Sequence, residues 1–170
     1  MKRLTLMRHG DAQWKDPEVE DFARPLNRRG NSEVEGMARR ITELALAPDL
    51  IIASPARRAQ QTAEIIAREL ALLPRVVRCE EALYLAGAQE ILQLVRAIGP
   101  RVPHLMIIGH NPGVSELAQM LLPRQELGGL GTAALCSITF DIKEWKAVGA
   151  AVVKEVMNEA PPSGLFSLFA

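Results

Sequence analysis

The stretch LTLMRHGDA, residues 4–12, joins a short apolar run to a group of polar residues. The apolar run has the length of a buried strand, and an arginine, a histidine and a glycine follow it directly. Two further apolar runs end in the same way: DLIIAS (49–54) is followed by PARR, and HLMIIG (104–109) is followed by HNP. The carboxyl ends of neighbouring parallel strands meet at one edge of a sheet, where ligands bind. The three runs therefore predict one shared site.

Segments with helical spacing of apolar residues separate these runs, so strands and helices alternate. This alternation favours an α/β fold, a three-layer α/β/α sandwich with a mainly parallel sheet. The last two strands have no helix between them and form a candidate antiparallel edge. One domain is expected over residues 1–170, with an irregular tail from about residue 158. Beyond the three runs, we predict helices at 32–46, 54–70, 88–98 and 111–122, and strands at 75–79, 128–141 and 149–156.

Capping residues predict where three of the helices begin. Ser32 and Glu35 have the spacing of a capping box. Ser54 is the expected cap of the second helix, with Pro55 at its first position. Asn111 is the expected cap of the helix that follows the third run.

The composition excludes several function classes. Twenty basic and twenty acidic residues balance, so no charge excess marks a nucleic-acid or anionic membrane surface. The longest uncharged stretches have 14 residues, fewer than the roughly 18 that suggest a membrane span. The apolar run near the N-terminus is too short for a signal peptide, so we expect a cytoplasmic location. Cys79 and Cys136 form no metal-binding pattern and are expected to be core thiols.

The polar residues after the three runs fit an anion with tetrahedral oxygens. Arginine is always charged and presents a planar fork of donors that matches phosphate. Helices that begin at Pro55 and Pro112 would add free N–H groups, and Gly10 and Gly109 would let the backbone come close. Neutral imidazole can attack phosphorus, which makes His9 a candidate nucleophile. No carboxylate cluster accompanies the histidines, so we predict neither a metal nor a cofactor.

Three motifs in this order resemble the histidine phosphatase superfamily, which includes cofactor-dependent phosphoglycerate mutase. They are RHG at 8–10, SPxxRAxQTA at 54–63 and GHNP at 109–112. The short chain and RPLNRRG at 24–30 are more similar to SixA-type phosphohistidine phosphatases. The resemblance covers residues 3 to about 140 and implies a phosphoglycerate mutase-like fold.

The resemblance also implies a role for each motif residue. His9 is then the phosphorylated nucleophile and Arg8 its phosphate-binding neighbour. Arg58, rather than Arg57, matches the second phosphate-binding arginine, and His110 matches the second catalytic histidine. RPLNRRG has Asn27 where the family usually has Thr or Ser, and we interpret this as a loop or cap position.

A general acid is hard to assign. Phosphomonoesterases and mutases of the family carry a Glu or Asp in an inserted region, but here only 51 residues separate Arg58 from His110. Glu80, Glu81 and Asp11 are candidates, and none is favoured. Imidazole leaves phosphorus more readily than an alkoxide does, because its conjugate acid has a pKa of about 6.5.

We therefore favour a phosphatase that acts on phosphohistidine in a signalling or phosphotransfer protein. A missing insertion would also leave the pocket open to a protein substrate. A broad small-molecule phosphomonoesterase is the alternative, and a non-catalytic phosphate-binding module is a second one. The oligomeric state stays open.

Other residues have simpler interpretations. His104 is expected at the surface or half-buried, without a metal role, and Arg57 is expected to be solvated. Arg24 could contact the phosphate or fix its loop. The tail GLFSLFA (164–170) either packs back on the domain or binds a partner.

Overall fold

A single sheet runs through the protein in the computed structural model, which describes residues 1–162. Its strands are β1 (Lys2–Arg8), β2 (Leu50–Ala53), β3 (Val77–Cys79), β4 (His104–Gly109), β5 (Leu135–Phe140) and β6 (Val153–Glu159). Their order across the sheet within this range is β3-β2-β4-β1-β5-β6. Strands β1 to β4 all run in the same direction, whereas β5 is antiparallel to both β1 and β6.

Helices cover both faces of the sheet and complete the expected α/β/α sandwich. They are α1 (Arg28–Glu43), α2 (Arg57–Glu69), α3 (Ala88–Arg96) and α4 (Gly113–Leu121). Strand β4 contributes Leu105 and Ile107 to the core shared with α3 and α4. Met106 and Ile108 of the same strand lie in the core shared with α1 and α2. The strand is buried on both faces, which explains its continuous apolar sequence.

The beginning of α1 differs from the prediction. The helix starts at Arg28, and Asn27 is its cap, with the side-chain oxygen accepting a hydrogen bond from the Gly30 N–H at 2.7 Å. Ser32 therefore lies inside the helix and does not cap it. The first turn is polar and exposed apart from Gly30, so hydrophobic periodicity alone could not reveal it.

Two further caps also differ from the prediction. Helix α2 begins at Arg57, after Ala56, although the Ser54 hydroxyl does accept a hydrogen bond from the Ala56 N–H at 3.2 Å. Helix α4 follows Pro112. The Asn111 side chain instead donates to the carbonyl of Leu130 at 2.8 Å, because this loop packs beside it.

The exposure of three residues can also be compared with the sequence predictions. Cys136 is buried, as expected, but Cys79 is exposed because β3 is an edge strand. His104 is 7% exposed, contrary to the expectation of a surface or half-buried position, and its Nε2 lies 2.8 Å from the Thr5 hydroxyl on β1. The 164–170 segment lies outside the described residues. Within residues 1–162, none of the helices is long and apolar enough to cross a membrane.

Candidate active site

Three adjacent strands carry the polar motifs to one edge of the sheet. Strand β4 lies between β1 and β2, and all three run in the same direction. The register pairs Arg8 with Gly109, so the residues that follow β1 and β4 are neighbours. The ring centroids of His9 and His110 are 5.2 Å apart. The structure therefore brings the two predicted histidines together.

The His9 ring has a defined orientation. Its Nδ1 lies 2.7 Å from the backbone carbonyl of Gly10, which can only accept, so Nδ1 carries the proton. The free lone pair is then on Nε2, which lies 3.3 Å from Nε of Arg58. Burial lowers the pKa of His9 to about 3, and the charges of Arg58 and Arg8 act in the same direction. At neutral pH His9 is thus an uncharged imidazole with an available nitrogen.

His110 has the opposite tautomer. Its Nδ1 lies 3.4 Å from Nη2 of Arg58, and a guanidinium can only donate, so this nitrogen is the acceptor. The Nε2–H therefore donates to the Ser54 hydroxyl at 2.7 Å. Burial, followed by the charge of Arg58, lowers the pKa of His110 to about 4. Both histidines consequently direct an unprotonated nitrogen toward the same guanidinium.

Arg58 joins the two histidines to a carboxylate. Its contacts with the two histidines are longer than those with Asp21. Nη1 donates to the backbone carbonyl of Asp21 at 2.7 Å, and Nη2 donates to the Asp21 Oδ2 at 3.0 Å. Asp21 thus anchors one edge of the guanidinium and leaves the other edge facing the imidazoles. The Arg58 residue is only 3% exposed, so few other positions are open to its side chain.

The helical period of α2 explains why Arg58 and not Arg57 enters the site. Arg58 lies on the buried face with Thr62, whose hydroxyl donates to the Arg58 carbonyl at 2.8 Å. Arg57 lies on the exposed face, where it pairs with Glu64. The expectation of a solvated Arg57 is confirmed.

Arg8, the last residue of β1, presents a second guanidinium. Its Nη1 donates to the carbonyl of Leu130 at 3.4 Å. Its Nε is buried and has no hydrogen-bond partner among the described residues. An unpaired buried donor is costly, and the oxygen of a bound anion would satisfy it.

Asp21 is a site residue that the sequence analysis missed. Its Oδ2 accepts hydrogen bonds from the Tyr84 hydroxyl at 2.7 Å and from Arg58, and its Oδ1 accepts from Arg24. Burial alone would raise its pKa, but these hydrogen bonds, led by that from Tyr84, hold the pKa well below its usual range. Asp21 is therefore a carboxylate without a proton to donate.

The same contacts settle the position of Arg24. Its guanidinium binds Asp21 and the carbonyl of Gln13, so it fixes its own loop. The segment between β1 and α1 also contains Asp16, Glu18 and Glu20. No local pattern distinguishes Asp21 from these acids, and only the fold places it beside Arg58.

Among the described residues, none of the three proposed acid candidates is hydrogen-bonded to either histidine. The Asp11 carboxylate accepts a hydrogen bond from the Asn27 side chain at 2.8 Å, which makes Asn27 both a helix cap and a loop anchor. Glu80 and Glu81 are exposed at the end of β3, which is separated from β1 by β2 and β4.

Two glycines allow α1 to pack against the loop that carries His9. A Cβ on Gly30 would lie 2.1 Å from the carbonyl oxygen of Asp11, and one on Gly10 would lie 2.7 Å from Cγ2 of Val34. The Gly10 N–H donates to the Thr62 hydroxyl at 3.0 Å. The Gly10 N–H is therefore used within the fold, and the missing side chain makes room for Val34 of α1.

The arrangement can bind an oxyanion between two guanidinium groups and attack it with an imidazole nitrogen. In such a reaction Arg8 and Arg58 would supply the positive charge, and the unprotonated Nε2 of His9 would be the attacking nitrogen. Among residues 1–162, no group of three or more His, Cys, Asp or Glu side chains is arranged to hold a metal ion.

Comparisons with known proteins agree with this geometry. A model of the histidine phosphatase superfamily (branch 1) matches residues 4–83. The phosphohistidine phosphatase SixA of Escherichia coli is 30% identical over 145 residues, which cover 82% of this chain and 86% of that protein. An uncharacterized chloroplast protein of Arabidopsis thaliana is 29% identical over 71% of this chain, and the chain spans 59% of its length.

A solved structure is similar over nearly the whole chain. The crystal structure of a SixA from Agrobacterium tumefaciens, described there as a putative phosphohistidine phosphatase, superposes with a TM-score of 0.81 at 26% identity. The match covers 94% of this chain and 98% of that one. The sheet and the strand ends that hold the site lie within the shared fold.

Proposed function

Since the chain belongs to the histidine phosphatase superfamily, we propose that it is a phosphatase whose covalent intermediate is a phosphoryl group on Nε2 of His9. One observation carries this proposal. The carbonyl of Gly10 fixes the proton on Nδ1, and burial keeps the ring uncharged, so Nε2 has a free lone pair beside Arg58.

In the first step, the lone pair of Nε2 forms a bond to phosphorus while the bond to the leaving group breaks. The leaving group takes that electron pair. Arg58 and Arg8 bind the phosphoryl oxygens and balance their charge, which is the largest contribution expected from such a site. The buried Nε of Arg8 gains a hydrogen-bond partner in this complex.

In the second step, water attacks the phosphoryl group and His9 regains its lone pair. The Nδ1 nitrogen of His110 accepts the proton that the water loses, because the hydrogen bond to Ser54 keeps the other ring proton on Nε2. Inorganic phosphate leaves, and His110 releases the proton to solvent because its pKa is lowered to about 4, which regenerates the free enzyme.

The favoured substrate is phosphohistidine carried by a signalling or phosphotransfer protein, as the name of the E. coli relative suggests. The ionisation of Asp21 supports this choice. An alkoxide leaving group requires a proton, and the carboxylate that binds Arg58 has none to give. Protonated phosphohistidine releases a neutral imidazole and requires no acid.

Trapping the intermediate tests the chemistry. After brief reaction with labelled phosphohistidine protein and acid-free quenching, we expect label on the wild-type chain and none on His9→Ala. The matched control is His104→Gln, which removes a histidine outside the site and should keep the label. Label on His9→Ala, or none on the wild type, would overturn the proposal.

A comparison of substrates tests the specificity. We expect a higher kcat/KM on a phosphohistidine protein than on phosphoserine or glycerol phosphate. Faster cleavage of the alkyl esters would favour the small-molecule phosphomonoesterase instead. Phosphate binding without turnover of any substrate would favour a non-catalytic module.

A further inference from the structure

Four rings form a continuous row from the nucleophile to the surface. Beyond the His9–His110 pair, the centroid of Tyr84 lies 5.6 Å from that of His110, and Phe22 lies 5.0 Å from Tyr84. All these separations are in the range in which aromatic rings attract one another. The row leads outward from the place where the phosphoryl group is expected to bind.

The outer two rings come from different loops and are tied together. Phe22 follows Asp21 on the segment between β1 and α1, whereas Tyr84 lies between β3 and α3. The hydrogen bond from the Tyr84 hydroxyl to Asp21 connects the two loops. Because Asp21 also binds Arg58, the rings hold a fixed position relative to the anion site.

Phe22 packs against Tyr84 but is not part of the hydrophobic core. It is 41% exposed. An exposed ring of this size gains free energy when a flat apolar surface covers it.

We propose that Tyr84 and Phe22 form a leaving-group subsite that takes a planar ring attached to the phosphoryl group. This inference rests on the proposed function in taking the space beside His9 as the phosphoryl site. An imidazole ring bonded to phosphorus there would lie next to Tyr84, with its far side toward Phe22. The ionised Asp21 beside these rings also favours a ring that carries positive charge, as protonated phosphohistidine does.

Binding of two phosphonates tests the subsite without any turnover. Phenylphosphonate has a ring on phosphorus and methylphosphonate has none. By calorimetry, we expect the wild type to bind phenylphosphonate about tenfold more tightly, the gain expected from two ring contacts. In Phe22→Ala this preference should fall to about threefold or less.

Two further variants make the test specific. Phe22→Leu keeps an apolar side chain without the ring and should lose the preference as well. Leu85→Ala removes another exposed apolar side chain, 60% exposed and next to Tyr84 in the chain, and should keep the preference. Thermal melting of each variant confirms that it is folded.

The outcomes separate this inference from the proposed function. An unchanged preference in Phe22→Ala, or equal loss in Leu85→Ala, would overturn the subsite while the label on His9 stands. Retention of the preference in Phe22→Leu would overturn recognition of a ring. If the wild type binds neither phosphonate, the anion site itself is wrong and both proposals fail.

Discussion

At the scale of single residues, one guanidinium organises the site. Arg58 contacts both unprotonated histidine nitrogens, and Asp21 holds the opposite edge of its fork. The tautomers of His9 and His110 are set by neighbours that can only accept or only donate. The reactive geometry therefore follows from hydrogen-bond rules at a few atoms.

Removal of the Asp21 charge tests its role in positioning Arg58. We expect Asp21→Asn to lower kcat/KM about tenfold, which corresponds to about 1.4 kcal/mol, because the charge-assisted bond is lost. In an Arg58→Ala background the same change should have little further effect. Glu20→Gln removes an exposed carboxylate one residue earlier and is the matched control. Additive losses in the double variant would show that Asp21 acts independently of Arg58.

The lowered pKa of His9 predicts how the nucleophile responds to acid. With a pKa of about 3 the ring stays neutral above that pH, whereas an ordinary histidine gains a proton below about 6.5. The C2 proton resonance of His9, assigned by comparison with His9→Gln, should therefore not shift between pH 8 and 5. A midpoint near 6.5 would contradict the buried, neutral ring.

At the scale of elements, helix α1 and the loop after β1 depend on close backbone contact. Gly30 leaves no room for a side chain beside the Asp11 carbonyl. The loop that follows His9 is thereby held against the helix, and Asn27 reinforces it through Asp11. The position of His9, the proposed nucleophile, thus depends on the packing of α1 against this loop.

Substitution at Gly30 tests this contact. We expect Gly30→Ala to lower the free energy of unfolding by about 1–3 kcal/mol, the usual cost of overpacking. Gly36→Ala in the same helix has only the end of the Arg39 side chain nearby, at 3.8 Å, and should be neutral or stabilising. Urea unfolding measures both. Equal effects of the two substitutions would mean that α1 tolerates a side chain at the loop.

Features that depend on a local sequence pattern could be predicted from the sequence. Apolar runs located the strands, and the match of SPxxRAxQTA to the family motif selected Arg58 over Arg57. Asp21 and Tyr84 could not be predicted, because their contacts join loops that are far apart in the chain. The start of α1 was missed for a different reason, since its first turn is polar.

At the scale of the whole molecule, the strand order creates the site. Strands β2, β4 and β1 are adjacent and parallel, so three segments distant in the chain end beside one another. The same compact packing buries all three histidines, including His104. Burial lowers the pKa of His104 to about 4, with the charge of Arg3 acting in the same direction.

This burial predicts lower stability in acid. An unfolded histidine has a pKa near 6.5, so between about pH 4 and 6.5 the unfolded chain binds more protons than the folded one. The free energy of unfolding should therefore fall as the pH falls through this window. His104→Gln should reduce the slope by up to about 1.4 kcal/mol per pH unit in urea titrations. An unchanged slope would show that His104 binds its proton in the folded state.

The most direct test of the central claim is a crystal structure with vanadate, which stands in for the phosphoryl group during transfer. We predict vanadium bonded to Nε2 of His9, with its oxygens bound by Arg8 and Arg58 and with His110 alongside. Vanadate bonded to another atom, or bound away from His9 while both arginines keep their present partners, would contradict the account.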